Sequence, residues 1–362
     1  MSKKLKIATV FSGIGAIEQA LMKLKLNFKI CFACDNGERE LPYSYKEIID
    51  FCKEKSIKNI NQYVKELYKE KCGINHVKQS YFANYDISEK SWFEDIRFID
   101  GNKFTNKIDL FVGGSPCQSF SIIGKRCGLE DTRGTLFYDF ARLVKEIQPK
   151  VFIYENVTGM LSHDKGNTWS IISSIFDLLN YKWNLYLLNS KDFGIPQSRK
   201  RIYVVGFRND LNIDGKLNIP KIELTNCVSD FLENKVIDKY YYGKKGFEWV
   251  TSPKNLVKRV SINSEIARTE AANQQFNWCG DMRFEKLSNR QFPDKVHIGQ
   301  YNGQYGVMRK LTPRECLRLM GFSDNFKIVV SDTHIYRQSG NSIVVNVLES
   351  IDKEIIKTNV FK

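Results

Sequence analysis

The sequence has few histidines and no long hydrophobic run, and both scarcities exclude classes of protein. Its 362 residues include four histidines and nine cysteines without regular spacing, so we expect reduced thiols and no zinc site. Cys31 and Cys34 have a ligand-like spacing, but they lie in an apolar run without a second pair nearby, which favours core packing. No segment has the length of a signal peptide or a membrane span. We therefore expect a cytoplasmic protein without a membrane partner.

Acidic residues are also fewer than basic ones. There are 41 Asp and Glu against 55 Lys and Arg, a net charge of +14. This excess predicts a polyanionic partner, nucleic acid first and an acidic membrane surface second. It is spread along the chain, which argues against a basic tail. The hydrophobic content of 42% is enough for one large domain and a smaller one.

The first residues have the pattern of a nucleotide-type βαβ unit. Lys6 to Phe11 is a strand pattern, and Gly13 and Gly15 form a turn before helical spacing begins. A dinucleotide fingerprint would need glycine at Glu18, and a carboxylate there repels a pyrophosphate but tolerates a cation. This favours S-adenosylmethionine over a nicotinamide cofactor, although a purely structural turn is an alternative.

Acidic residues follow two later segments. Asp35 ends the second strand pattern, where a carboxylate binds ribose hydroxyls in this architecture; a helix cap is an equal alternative. Asp86 and Ile87 close a short polar segment and are predicted to contact adenine. Residues 41–77 have helical spacing and predict an inserted helical segment, with a solvated face or a peripheral DNA contact.

The segment around Cys117 is predicted to be a nucleophile loop. It follows the apolar residues 108–112, so the thiol should lie at the carboxyl end of a buried strand. Small residues and Pro116 turn the chain sharply, and Gln118 offers hydrogen bonds near the sulfur. Taken alone, Cys117 would more often be a small core residue, but the groups described next accompany it. The polar residues 124–134 predict a lid over the site.

A carboxylate and two arginines extend this pattern. Glu155 ends another apolar strand pattern, at the same sheet edge as the Cys117 loop. Arg199 and Arg201 alternate, and both would face one side if the next strand begins there. The alternative for these arginines is a solvated strand edge.

Six of these segments, in this order, resemble the DNA cytosine-5 methyltransferases, in particular the single-chain enzymes of bacterial restriction–modification systems. The similarity extends over nearly the whole chain. The matching segments are residues 11–15, 115–118, 155–157, 197–201, 309–321 and 338–342. Two residues depart from the family pattern: Ala16 replaces a glycine, and Asp35 replaces a glutamate.

The resemblance implies an α/β fold, a Rossmann-like S-adenosylmethionine-dependent methyltransferase sheet domain with a smaller, irregular target-recognition domain. Residues 1–219 and 310–362 are predicted to form the first domain, and 220–309 the second. The implied catalytic residues are Cys117, Glu155, Arg199, Arg201 and Gln118. The implied cofactor-binding residues are Phe11, Ser12, Gly13, Ile14, Gly15, Asp35, Asn36, Asp86, Ile87, Pro116, Leu136, Asn341 and Ser342.

The implied function is methyl transfer to carbon 5 of a flipped-out cytosine in a specific duplex DNA sequence, through a covalent cysteine adduct. We expect a monomer that uses S-adenosylmethionine and no metal, binds double-stranded DNA, and has a separately acting restriction endonuclease as its counterpart. The alternatives are a transfer-RNA cytosine-5 methyltransferase of the same family, a catalytically silent DNA-binding homologue, and a nicotinamide oxidoreductase.

Overall fold

The structure is a computed structural model that describes residues 4–116, 136–273, 279–287, 292 and 296–362. Within these residues, seven strands form one sheet. They are β1 (Leu5–Val10), β2 (Phe28–Cys34), β3 (Trp92–Phe93), β4 (Leu110–Gly113), β5 (Val151–Val157), β6 (Tyr181–Asn189) and β7 (Lys200–Arg208).

The strand order β3-β2-β1-β4-β5-β7-β6 places the predicted functional strands side by side. Strands β1 to β5 pair in parallel, and β7 runs antiparallel to β5. The carboxyl ends of β1, β2, β4 and β5 and the start of β7 therefore meet at one edge of the sheet. This is the predicted α/β class.

Six α-helices lie among the described residues of this part of the chain, and the first three occur where the sequence predicts helical spacing. They are α1 (Ala16–Lys23), α2 (Tyr45–Glu54), α3 (Ile60–Cys72), α4 (His76–Asn84), α5 (Leu136–Ile147) and α6 (Asn167–Asp177). An aromatic cluster of Phe137, Phe140, Phe152, Tyr154 and Phe176 packs α5 and α6 against the sheet. Truncating one such buried ring to alanine typically lowers the unfolding free energy by about 3–5 kcal/mol.

The inserted segment is helical, as predicted. Helices α2 and α3 share a small core that includes Ile48, Cys52 and Leu67. The first of them begins with a capping box, in which Ser44 and Glu47 satisfy each other's backbone N–H groups.

The rest of the chain contains a second, four-stranded sheet in the order β10-β11-β9-β8. Its elements are α7 (Lys244–Thr251), α8 (Pro253–Lys258), β8 (Val260–Ile262), β9 (Gly280–Lys286), β10 (Ile298–Tyr301), β11 (Gln304–Lys310), α9 (Pro313–Leu319) and α10 (Asp332–Asn341), and the last helix of the chain is α11 (Val345–Lys357). Thr312 caps α9 and Pro313 is its first residue, a position where the missing N–H of proline has no cost. The buried Arg309 pairs with Glu315 at 2.8 Å, which joins β11 to α9.

The described chain forms two compact units. The first comprises Met1–Leu188, Lys200–Pro220 and Leu348–Lys362, and the second Asn189–Arg199 and Lys221–Val347. The predicted target-recognition segment, 220–309, falls almost entirely in the second unit. That unit also takes in residues 189–199 and 310–347, because strands, loops and helices from these stretches share its core. The predicted assignment of functions to domains stays a prediction.

Candidate active site

The turn between β1 and α1 has the backbone geometry that its glycines permit. Phe11, Gly13 and Gly15 all have positive φ, at 52°, 52° and 80°. A Cβ at Gly15 would lie 2.2 Å from the ring of Tyr85, whereas a Cβ at Gly13 would meet nothing within 4 Å. The turn is therefore packed on its Gly15 side and open at Gly13, where a ligand can approach the backbone.

Asp35 lies directly beside this turn. Its Oδ2 accepts a hydrogen bond from the Gly13 N–H at 2.9 Å, and its Oδ1 accepts one from the Gly37 N–H at 2.8 Å. Burial raises the pKa of the Asp35 carboxyl, although both N–H groups act to lower it. The structure thus brings together two of the predicted cofactor-binding residues, which are 22 positions apart.

Other predicted cofactor-binding residues lie in or beside the same turn and the Asp35 loop. The Ser12 hydroxyl donates to the Cys34 carbonyl at 3.1 Å, and Ile14 is fully buried. The Asn36 amide donates to the Arg39 carbonyl at 2.7 Å. Four further predicted residues differ in exposure: Asp86 and Pro116 are exposed, and Ile87 and Leu136 are half-buried.

The carboxyl group of Glu18 is less charged than the sequence suggested. It is completely buried in the first turn of α1 and accepts a hydrogen bond from the Tyr81 hydroxyl. Burial raises the pKa of its carboxyl to about 7, so the charge there is much reduced at neutral pH. The predicted repulsion of a pyrophosphate is correspondingly weak, and the missing third glycine is the stronger argument against a dinucleotide.

Glu155 and Arg201 form an ion pair at the sheet edge. Strand β5 extends through Val157 instead of ending before Glu155. Arg201 of β7 lies opposite Val157 of β5. This register brings the Arg201 Nε to 3.3 Å from the Glu155 Oε1, with both side chains largely buried. The guanidinium therefore orients a carboxylate that faces the carboxyl end of β4.

The chain that leads to Cys117 is fixed against these strands. The Asn156 amide donates to the Ser115 carbonyl and to the Tyr154 hydroxyl, both at 2.9 Å, and the Ser115 and Tyr154 hydroxyls are 2.7 Å apart. A Cβ at Gly114 would lie 3.0 Å from the Glu155 Oε2. Cys117 and Gln118 themselves lie outside the described residues.

Sequence reasoning did not assign a role to Tyr154 or Asn156. Both side chains hold Ser115, which precedes the predicted nucleophile by two positions. The available signal was their place beside Glu155 in a motif that resembles the family.

Arg199 is separated from Arg201 by the start of the strand. Strand β7 begins at Lys200, so the condition for the two arginines to alternate on one face is not met. The buried Arg199 guanidinium donates to the carbonyls of Glu270, Gly340 and Ser342 at 2.7, 3.0 and 2.8 Å. These contacts, within the second unit, give Arg199 a structural role, and its catalytic role stays a prediction.

The remaining predicted cofactor-binding residues, Asn341 and Ser342, lie at the end of α10 in the same unit. Asn341 is exposed and Ser342 is buried next to Arg199. Gln197 joins the same network, because its amide donates to the Leu319 carbonyl at 2.9 Å.

The described residues include neither a cluster of potential metal ligands nor a helix able to span a membrane. Among the described residues, no group of three or more His, Cys, Asp or Glu side chains is placed to hold a metal ion. In the same part of the chain, the helices are too short or too polar to cross a membrane.

Comparison with known proteins gives a consistent result. A family model described as C-5 cytosine-specific DNA methylase matches residues 68–357. The type II methyltransferase M.HhaI of Haemophilus parahaemolyticus is 38% identical over 81% of this chain and 91% of its own length. The orphan methyltransferase M.SPRI of Bacillus phage SPR is 30% identical over 99% of both chains.

Solved structures agree on the fold. The Dnmt2 methyltransferase of S. pombe has a TM-score of 0.62 at 18% identity, over 99% of both chains. A DNMT2 variant from Spodoptera frugiperda has a TM-score of 0.65, also at 18% identity, over 98% of this chain and 100% of its own. The sheet domain is therefore the S-adenosylmethionine-dependent methyltransferase fold. With the family match and the motif order, it follows that this chain belongs to the C-5 cytosine-specific DNA methylases and is a DNA (cytosine-5-)-methyltransferase.

Proposed function

We propose that Cys117, Glu155 and Arg201 carry out methyl transfer to a cytosine that has been flipped out of duplex DNA. The observation that carries this proposal is the Glu155–Arg201 pair, with Nε and Oε1 3.3 Å apart, beside the Gly114 backbone that leads to Cys117. Glu155 and Arg201 lie on the paired strands β5 and β7, and Cys117 follows the neighbouring strand β4 in the sequence.

The proposed role of Cys117 is to make carbon 5 of cytosine reactive. Carbon 5 of cytosine is too poor a nucleophile to take a methyl group directly, so the Cys117 thiolate first adds to carbon 6. A bond forms between Sγ and carbon 6, and the electron pair of the 5,6 double bond moves toward carbon 5. The ring is then enamine-like and reactive at carbon 5.

Glu155 acts on the opposite side of the ring. In its protonated form it donates to ring nitrogen 3, which stabilises the adduct, and its second oxygen accepts from the exocyclic amine. Thymine has a carbonyl in place of that amine and is rejected. Arg201 holds the Glu155 carboxyl in position and donates to the ring carbonyl.

The final step restores the aromatic ring. Water accepts the proton from carbon 5, the electron pair of the broken C–H bond re-forms the 5,6 double bond, and Cys117 leaves carbon 6 as the thiolate. The target atom is inaccessible within a base-paired duplex, so the cytosine must first rotate into the pocket.

The residues at the β1–α1 turn fit S-adenosylmethionine, which supplies the methyl group when bound. The open space at Gly13 allows close approach of a ligand to the backbone. The Asp35 carboxylate accepts from the Gly13 N–H, and its proposed role is to accept hydrogen bonds from ribose hydroxyls, as acidic residues at this strand end do in this architecture. Asp86, Ile87, Asn341 and Ser342 stay as proposed contacts from the family resemblance.

We further propose that the enzyme modifies the DNA site of a restriction–modification system, with a separate endonuclease that cuts the same sequence. The names of the type II relatives support this role. Residues 220–309 are proposed to read the bases around the target, because a flipped base can be read in the pocket but its stacked neighbours are read through the grooves.

A trapping experiment tests the chemistry. Duplex DNA from a library that contains 5-fluorocytosine should form an adduct resistant to denaturation with the wild-type chain and S-adenosylmethionine, since fluorine cannot leave as a cation. Cys117→Ser should form no such adduct and should lose methyl transfer, while retaining DNA binding in gel-shift assays. Near wild-type turnover by Cys117→Ser would refute the mechanism, and methylation of transfer RNA in preference to duplex DNA would refute the substrate.

A further inference from the structure

Helix α4 contacts both loops of the proposed cofactor site. One is the glycine turn, residues 11–15, and the other is the Asp35 loop, residues 35–39. The helix belongs to the segment between β2 and β3, and the sequence predicted only a solvated face or a peripheral DNA contact for most of that segment. The contacts at its two ends indicate a different role.

At the carboxyl end of α4, Tyr85 holds the glycine turn. Its hydroxyl donates to the carbonyls of Ile14 and Gly15 at 2.9 and 2.8 Å. Its ring occupies the space beside Gly15, where any Cβ would clash at 2.2 Å. The positive φ of Gly15 and the ring of Tyr85 are thus complementary, and the turn is supported from the side of α4.

One helical turn earlier, Tyr81 extends this contact into α1. Its hydroxyl donates to the Glu18 carboxyl, and both side chains are completely buried. The rings of Tyr81 and Tyr85 pack with centroids 4.8 Å apart. The two tyrosines therefore anchor both the glycine turn and the helix that it opens.

At the amino end of α4, Asn75 holds the Asp35 loop. Its Oδ1 caps the helix by accepting from the Lys78 N–H at 3.0 Å, and its Nδ2 donates to the Asp35 carbonyl at 2.9 Å. The same Nδ2 is 2.9 Å from Glu94, which forms an ion pair with Arg39 at the end of the loop. A single amide side chain thus caps the start of the helix and holds the loop.

The two loops are also joined to each other, because the Gly13 N–H donates to the Asp35 carboxylate at 2.9 Å. A shift of α4 would therefore move both loops. We propose that α4 is a brace for the cofactor site, with Tyr85 and Asn75 as positioning residues for S-adenosylmethionine. This inference rests on the proposed assignment of that cofactor to the two loops.

The test uses Tyr85→Phe in the full chain, which removes one hydroxyl and keeps the ring. Calorimetric titration with S-adenosylhomocysteine should show about fivefold weaker binding, the effect of one hydrogen bond of ordinary strength. The KM for S-adenosylmethionine should rise by the same factor. The KM for DNA, and kcat at saturating cofactor, should stay within about twofold of the wild type.

Tyr181→Phe is the matched control. The Tyr181 hydroxyl is also buried and donates to a backbone carbonyl, that of Pro149, at 2.6 Å. This variant should leave affinity for S-adenosylhomocysteine unchanged, even where its melting temperature falls. A second pair replaces a helix cap by serine: Asn75→Ser should weaken the binding, and Asn59→Ser, at the exposed cap of α3, should not.

The outcomes distinguish the proposed role of α4 from the proposed assignment of S-adenosylmethionine to the two loops. Wild-type affinity in Tyr85→Phe and Asn75→Ser would overturn the brace, as would an equal loss in Tyr181→Phe. Asp35→Ala tests the site itself: unchanged affinity there would overturn both proposals. A loss in Asp35→Ala without a loss in Tyr85→Phe and Asn75→Ser would overturn the brace alone.

Discussion

The substitution Gly114→Ala tests whether catalysis requires the Glu155 carboxylate to lie where the structure places it. A Cβ at Gly114 would lie 2.9 Å from the Glu155 carbonyl oxygen and 3.0 Å from its Oε2. Both separations are shorter than ordinary carbon–oxygen contacts. The nearer one involves the backbone of Glu155, so the loop that leads to Cys117 must move relative to β5 by a few tenths of an ångström, which displaces it from the Glu155 carboxylate.

The expected loss follows from that displacement. A misplacement of about 1 Å at a reacting group lowers the rate on the order of a hundredfold. If the free energy scales with distance, a displacement of roughly 0.3 Å lowers kcat about fourfold. The extra methyl group should also lower the unfolding free energy by about 1 kcal/mol, the lower end of overpacking effects.

Two other glycines provide controls. A Cβ at Gly159 meets nothing within 4 Å, and a Cβ at Gly113 would lie 2.7 Å from the Val10 side chain in the core. Gly159→Ala should therefore keep kcat, and Gly113→Ala should mainly lower the melting temperature. The assay is steady-state methylation at saturating DNA and cofactor, with thermal denaturation of each variant. Wild-type kcat in Gly114→Ala, or an equal loss in Gly159→Ala, would refute the reasoning.

Three further predictions follow from the same contacts. Glu155→Gln should lower kcat about 10²- to 10⁴-fold, the usual contribution of a general acid, with little change in the KM for S-adenosylmethionine; turnover within tenfold of the wild type would contradict its assigned role. The folded-state pKa of Glu18, about 7, lies above its ordinary value of 4.5, so the stability linked to its proton is complete below pH 4.5 and is lost as the pH rises to 7. Thermal melts should accordingly show that Glu18→Gln stabilises the protein more at pH 8 than at pH 5, by up to about 3 kcal/mol, and an equal difference at both pH values would contradict the assigned pKa. Replacing residues 220–309 by those of a relative with another specificity should change the methylated sequence in methylome sequencing while cytosine stays the modified base; an active chimaera that keeps the original site would assign sequence reading elsewhere.

The sequence by itself determined the strands and the order of the chemical groups at their ends. Short apolar runs before Asp35, Cys117 and Glu155 predict buried parallel strands because such strands are covered on both faces. A ligand site at their carboxyl ends follows from the chain connections of this fold. Local pattern and fold geometry were therefore sufficient to predict the buried strands β1, β2, β4 and β5, whereas the roles of the groups that follow them stay predictions.

The division of labour between Arg199 and Arg201 was decided by the tertiary structure. The two arginines, separated by Lys200, look equivalent in the sequence. Arg201 pairs with Glu155 across the antiparallel register of β5 and β7. Arg199 precedes that strand and donates to carbonyls 71 to 143 positions away in the chain. The strand start and those distant carbonyls, neither of which is a local property, give the two side chains different partners.

The role of the helical insertion was decided in the same way. Its periodicity predicts helices, but the contact of Tyr85 with Gly15 joins residues 70 positions apart, and that of Asn75 with Asp35 joins residues 40 positions apart. Local propensity and hydrophobic spacing determine which segments are helical, since both act over a few residues. Which loops a helix supports depends on how the whole chain packs, because the contacting residues are tens of positions apart and no local pattern in the sequence pairs them.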